Sequence, residues 1–144
     1  MGIEEIVLDS SAIVAMQVKE EYSTWVMNKL SGYFSFDILE LTPYEVFNAL
    51  STYKRRGMLN NDRYRDIINN TKDFLDDCNV YGYDKVLYSA LAISADSKIA
   101  LYDSAYIALA SKLRCKLLTV DLALYNKLSE FPALKELLVT PLNN

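Results

Sequence analysis

The chain has 144 residues, 51% of them hydrophobic and 12% aromatic, which fits one domain over 1–144 and excludes a disordered protein. Its net charge is −4 and it holds no histidine and only two cysteines, which excludes Ser–His and Cys–His catalysis, imidazole metal sites, a disulfide framework and a four-ligand zinc site. No apolar run reaches the ~18 residues of a membrane helix, and the acidic start Met1-Gly2-Ile3-Glu4-Glu5 lacks the parts of a secretory signal, so a cytoplasmic location and no membrane are expected.

In chain order, Ile3–Leu8 ends in the short apolar run Ile6-Val7-Leu8 expected of a buried parallel strand. Asp9-Ser10-Ser11 is a helix-start signal, and Ala12 to Leu30 reads as helix in one or two pieces. Tyr33–Leu39 is a weaker strand. Thr42-Pro43-Tyr44-Glu45 combines a capping Thr, a first-position Pro and a Glu three residues after the cap, opening a helix that stops at Gly57. Asn61–Asp77, Tyr83–Lys98 and Asp103–Leu113 read as helices, Lys116–Val120 as strand, Leu122–Leu128 as helix and Leu137–Thr140 as the last strand. Strands alternating with helical crossovers predict an α/β fold: a small parallel sheet flanked by helices.

Four acids recur at the junctions of these elements. Asp9 follows the first strand, Glu45 lies in a first helical turn, Asp103 opens a helix, and Asp121 follows Leu117-Leu118-Thr119-Val120. In an open α/β sheet the crevice beyond the carboxyl ends of the strands takes the ligand. Carboxylates converging there without basic partners stay ionised only when cations neutralise them, and an oxygen-only ligand set suits Mg²⁺ or Mn²⁺. Each acid also has a plain structural reading. Asp9 would cap its helix, Glu45 would complete a capping box with Thr42, and Asp103 and Asp121 would sit at helix starts that favour negative charge. Spacing alone does not separate a metal cluster from four caps.

The motifs carrying these acids resemble those of PIN-domain ribonucleases. Val7-Leu8-Asp9-Ser10-Ser11-Ala12 is similar to the family's first motif, and Glu45 in Pro-x-Glu-Val-x-Asn-Ala-Leu to its second acid. Tyr102-Asp103-Ser104-Ala105-Tyr106-Ile107-Ala108-Leu109-Ala110 resembles the third motif, and Thr119-Val120-Asp121-Leu122 the fourth. All four occur in order over essentially the whole chain, most like VapC-type toxins of toxin–antitoxin pairs. One departure is Arg114, which stands where such proteins often place a Gly after the helix.

The resemblance implies a PIN-like, Rossmann-like three-layer α/β/α fold and a Mg²⁺- or Mn²⁺-dependent endoribonuclease with one or two ions per site. It implies that Asp9, Asp103 and Asp121 coordinate metal, and that Glu45 is a ligand, directly or through water, or orients the nucleophile. Water would attack in line, leaving a 3′-hydroxyl and a 5′-phosphate. Ser10, Ser11 and Thr119 would be supporting hydroxyls, with N-capping the simpler role for Ser10 or Ser11. An antitoxin partner and a homodimer are implied too, with helices in 12–30 and 42–57 offering an interface or an antitoxin groove.

Charge distribution adds one expectation. Residues 53–72 carry six basic side chains against two acidic ones, and the rest of the chain nine against seventeen. Lys54, Arg55, Arg56, Arg63 and Arg65 either form a solvated helix face or flank the acids and hold RNA phosphates. Two alternatives stand beside the toxin: an RNA-processing PIN nuclease without an antitoxin, and a catalytically silent PIN fold that binds nucleic acid or protein. A receiver-like phospho-acceptor domain is disfavoured, since Asp9 is followed by two serines rather than a second acid. Cys78, following Asp76-Asp77, is not expected to have a low thiol pKa, and Cys115 is expected to be a small buried hydrophobe.

Overall fold

The strand Glu5–Leu8 (β1) is the centre of the molecule because Ile6, Val7 and Leu8 are wholly buried, each contributing about 1.5–3 kcal/mol of apolar burial. The computed structural model describes residues 4–143; Ile3, expected to open this strand, lies outside the described residues. Ser10–Gln17 (α1) and Ser23–Leu30 (α2) are two helices, divided where Val18 turns to extended backbone. Ser35–Leu39 (β2), Thr42–Arg55 (α3) and Asn61–Asp76 (α4) follow. Asn79–Tyr81 (β3), a 3-10 turn at Tyr83–Lys85, Leu87–Ser97 (α5) and Leu101–Leu113 (α6) continue the chain. Lys116–Leu118 (β4), Leu122–Lys127 (α7), Pro132–Lys135 (α8) and Leu138–Val139 (β5) complete it.

The strands form one parallel sheet in the order β3-β2-β1-β4-β5. Successive side chains on a strand face opposite ways. Ile6, Leu8, Ile38 and Leu118 therefore pack with α1 through α4 on one face, while Val7, Leu39, Leu117 and Leu138 pack with α5 and α6 on the other. This is the expected three-layer α/β/α arrangement. From β1 the chain builds outward through β2 and β3, then returns to β4 on the opposite side. The order thus reverses at β1 and β4, which opens a ligand crevice beyond their carboxyl ends.

Two elements escape the sequence pattern. Strand β3 is a three-residue edge strand, Asn79-Val80-Tyr81, largely exposed, so it has no apolar run to betray it. Helix α8 is a single turn begun by Pro132. Helix α6 starts at Leu101, so Asp103 is its third residue rather than its opening one. Asp37, on β2, is fully buried, its Oδ1 accepting from Asn79 Nδ2 at 3.0 Å. Burial pushes the Cys78 thiol up to about 12, aided by Asp77 and Asp37, while Cys115 is only half-buried. Among the described residues, no helix is long and apolar enough to cross a membrane.

Arg114 ends α6 with φ 56° and ψ 44°, the left-handed conformation that costs an ordinary L-residue about 1–2 kcal/mol. Glycine avoids that cost but has more freedom to lose on folding. Arg114→Gly is expected to stabilise the protein by roughly 0.5–1 kcal/mol, read as a higher midpoint in thermal denaturation.

Candidate active site

Asp9 and Asp121 stand on the two sides of the crevice. Asp9 leaves β1 in extended backbone (φ −88°, ψ 175°) and caps α1, its Oδ1 accepting from Ala12 N at 3.0 Å. Asp121 caps α7, its Oδ1 accepting from Leu124 N at 3.2 Å. Ser11 Oγ donates to Asp9 Oδ1 at 2.7 Å, and Thr119 Oγ1 donates to Asp9 Oδ2 in a short bond. The two hydroxyl oxygens lie 3.2 Å apart. Each also accepts a backbone N–H from the β4–α7 junction: Ser11 Oγ from Val120 at 3.2 Å, and Thr119 Oγ1 from Asp121 at 3.0 Å. Neither serine caps a helix, contrary to the simpler expectation for them. Asp9 already fills that position, so Ser11 serves Asp9 instead, and Ser10 lies half-buried beside it.

Glu45 and Asp103 approach from the helical layers. Glu45 sits in the first turn of α3 and Asp103 in that of α6, both half-buried. The capping box expected of Thr42 and Glu45 does not form. The fully buried Thr42 hydroxyl accepts from Leu39 N at 3.0 Å, and Leu41 takes the cap position without a side-chain bond. Glu45 instead accepts from Tyr106, whose hydroxyl donates to Oε1 at 2.7 Å. Since that hydroxyl has one proton to give, Thr42 Oγ1 donates to it across their 2.7 Å contact. A chain of bonds therefore runs from the Leu39 amide through Thr42 and Tyr106 to Glu45. Tyr106 and Thr42 are the site residues that sequence reasoning missed. The available signal was spacing: Tyr106 lies three residues after Asp103 and so shares its helix face.

The acids sense one another. Burial raises the Asp9 carboxyl from 3.8 to about 6, against the bonds from Thr119, Ser11 and Ala12, and the Asp121 charge adds to the rise. Burial also raises Asp103, with Asp121 adding to it and Lys127 opposing it. Glu45 is raised by burial first, held down by the Tyr106 bond, and raised again by Asp103. Four carboxylates with hydroxyls around them, and no sulfur or imidazole, fit a hard divalent cation. Among the described residues, however, no three Asp, Glu, Cys or His side chains form a cluster that could hold an ion as they stand. The like charges spread along the crevice rather than closing into a cage.

The basic residues divide. Arg56, just past α3, lines a cavity of about 470 Å³ whose other wall includes Ser10, Ser11 and Val120. Arg55 is held along its own helix by Ser51 and Thr52 at 2.8 and 2.9 Å. Arg65 pairs with Asp62 at 3.4 Å, both well exposed, and Arg63 is exposed in the first turn of α4. Lys54 is half-buried. Of the five, the structure brings Arg56 to the cavity beside Ser10 and Ser11.

Replacing Tyr106 by Phe tests the chain of bonds directly. It is expected to lower the turnover of any reaction these acids carry by about tenfold with little change in KM, since Glu45 would be less well positioned. Losing the bond that holds Glu45 down also moves the acid limb of the pH–rate profile upward. A measured profile in which neither turnover nor the acid limb moves would show that Tyr106 only packs.

The PIN domain family model matches residues 6–127. Ribonuclease VapC3 of Pyrobaculum aerophilum is 38% identical over 137 residues, covering 95% of this chain and 99% of that protein. A toxin–antitoxin complex from Klebsiella pneumoniae shares the fold with a TM-score of 0.67 at 17% identity, over 94% of this chain and 97% of the other. VapBC2 of Rickettsia felis, solved with a DNA fragment from its promoter, gives 0.62 at 14%, over 94% and 98%. These structural likenesses are in fold; it is the family model over most of the chain, together with the sequence relative, that assigns this protein to the PIN domain family, as a homologue of VapC ribonucleases.

Proposed function

We propose that this protein is a divalent-metal-dependent endoribonuclease and the toxin of a toxin–antitoxin pair. The observation that carries the reading is the run of like-charge interactions linking Asp9 to Asp121, Asp121 to Asp103 and Asp103 to Glu45, in a chain 38% identical to a ribonuclease over nearly its whole length. Asp9, Asp103 and Asp121 would hold one or two Mg²⁺ or Mn²⁺ ions, with Glu45 as a further ligand, directly or through water. Such a cation lowers the pKa of a water and offsets charge building on the scissile phosphate. Ser11 and Thr119 keep both oxygens of Asp9 aimed by donating to them. Alternatively Glu45, held on Oε1 by Tyr106, would use its other oxygen to orient the attacking water. Arg56 receives an RNA phosphate at the cavity beside Ser10 and Ser11.

Antitoxin-bound relatives support a cognate antitoxin for this chain, which would act in the cytoplasm. A homodimer belongs to the same proposal. The apolar residues of α1 and α2 are spent largely in the core, whereas Tyr83, Leu101 and Tyr102 stay exposed around an apolar cleft of about 140 Å³, which suits a second copy. The test is cleavage of a mixed transfer and ribosomal RNA pool with Mg²⁺ or Mn²⁺ and with EDTA, beside identically purified Asp103→Asn. Metal-dependent cleavage lost in the variant is the expected result. Equal cleavage by both proteins would mean contamination. Folded, antitoxin-free protein that cuts nothing would move the reading to the silent binding module.

A further inference from the structure

We infer that the cavity beside Ser10 and Ser11 is a base-reading subsite for guanine in the nucleotide next to the cleaved bond, with Glu20 as its specificity-determining residue. This inference rests on the nuclease reading. The cavity, about 470 Å³, has the size of a pocket for a small organic ligand. It is separated from Asp9 by a single side chain, since Ser11, one of its walls, donates to the buried Asp9 carboxylate.

Its lining is divided by charge. Arg56 supplies a cation and Glu20 an anion, while Val14, Ala49 and Met58 supply apolar surface against which a base can lie. A phosphate would be drawn to Arg56 and repelled by Glu20, so the group facing Glu20 is a hydrogen-bond donor. Tyr53 donates its hydroxyl to Glu20 Oε2 in a short bond, which fixes the carboxylate between the α1–α2 loop and α3. One lone pair of that oxygen and all of Oε1 remain to accept from a ligand.

Among the four RNA bases, guanine alone presents two adjacent N–H donors, N1–H and the N2 amino group, on its Watson–Crick edge. That pair matches a carboxylate in a bidentate, charge-assisted contact. Adenine and cytosine set a ring acceptor beside their amino group, and uracil flanks its single N–H with two carbonyls, so each brings a lone pair against the Glu20 charge. A guanidinium from a basic peptide offers a similar donor pair, but it would enter the cavity against the like charge of Arg56. A nucleotide satisfies both charges at once.

The experiment has two arms. In EDTA, binding of guanosine, inosine and uridine 5′-monophosphates to the wild-type protein is measured by NMR titration. Guanosine monophosphate is expected to bind about tenfold more tightly than uridine monophosphate, with inosine, which lacks the N2 amino group, between them. In Glu20→Gln that preference should collapse to within twofold, and in Tyr53→Phe it should weaken while the carboxylate remains. The second arm sequences the ends of cleaved RNA. Guanine is expected to be enriched beside the cut in wild type and not among the ends that Glu20→Gln still produces. Equal binding of the nucleotides or an unchanged preference in Glu20→Gln would overturn the subsite. Loss of all wild-type cleavage would sink the nuclease reading instead, leaving the binding arm to decide the subsite by itself.

Discussion

Replacing Asp9 by Asn is expected to lower RNA cleavage by about a thousandfold while making the metal-free protein more stable. Loss of a residue that merely orients a metal ligand typically costs about 10–100-fold, and loss of a charged ligand costs more. The substitution keeps the shape of the site. The Asn carbonyl oxygen can still accept from Ala12 N and Ser11 Oγ, and its amide can donate to Thr119 Oγ1, so the α1 cap and the β1–β4 tie survive. What disappears is a buried negative charge facing Asp121. The activity readout distinguishes a functional acid from a structural cap: Asn caps a helix as well as Asp does, so a mere cap would leave activity alone. Cleavage within tenfold of wild type would remove Asp9 from the site.

The stability gain has a pH signature of its own. The Asp9 carboxyl titrates near 6 in the folded chain and near 3.8 when unfolded. Between those values the folded state binds a proton that the unfolded state has released, so stability falls as pH rises. Asp9 therefore contributes stability that is present below about pH 4 and lost through pH 6, amounting to about 3 kcal/mol at neutral pH. In EDTA, the melting temperature of Asp9→Asn should run close to wild type at pH 4 and exceed it by several degrees at pH 7. The raised Glu45 and Asp103 carboxyls push the same way in both proteins and cancel in the comparison. Adding Mg²⁺ at pH 7 should stabilise wild type more than the variant, because the ion binds the folded, ionised carboxylates. Parallel curves across this range would mean that Asp9 is not under that strain.

The layout of the fold was legible because its central strand β1 carries an unbroken apolar run and several helices carry plain start signals. Ile6-Val7-Leu8 announces a strand buried on both faces, and Pro43 announces α3. Strand β3 was not legible, since an exposed edge strand of three residues is held by its pairing with β2 rather than by any pattern of its own. Asp9, Glu45 and Asp121 lie at the junctions that the sequence signals indicate and Asp103 lies two residues into its helix, but the partners of these acids differ from those the local signals suggest. Thr42 looks like a cap from its neighbours in sequence, whereas its hydroxyl is claimed by Leu39 N and by Tyr106, 64 residues away. Glu20 and Tyr53 are likewise an ordinary loop residue and an ordinary helix residue until the α1–α2 loop packs beside α3 and joins them. Local signals report caps, and only the packed sheet reports which hydroxyl reaches which carboxylate.

The central claim is that these carboxylates promote attack by water on an RNA phosphodiester. It is tested most directly by the chemistry of the cut ends, read on one labelled RNA cleaved with Mg²⁺ or Mn²⁺ and compared with Asp103→Asn. The account predicts 5′-phosphate and 3′-hydroxyl ends, which are absent with EDTA and absent with the variant. Ends bearing a 2′,3′-cyclic phosphate, formed equally in EDTA, would place the attack on the RNA's own 2′-hydroxyl and contradict it.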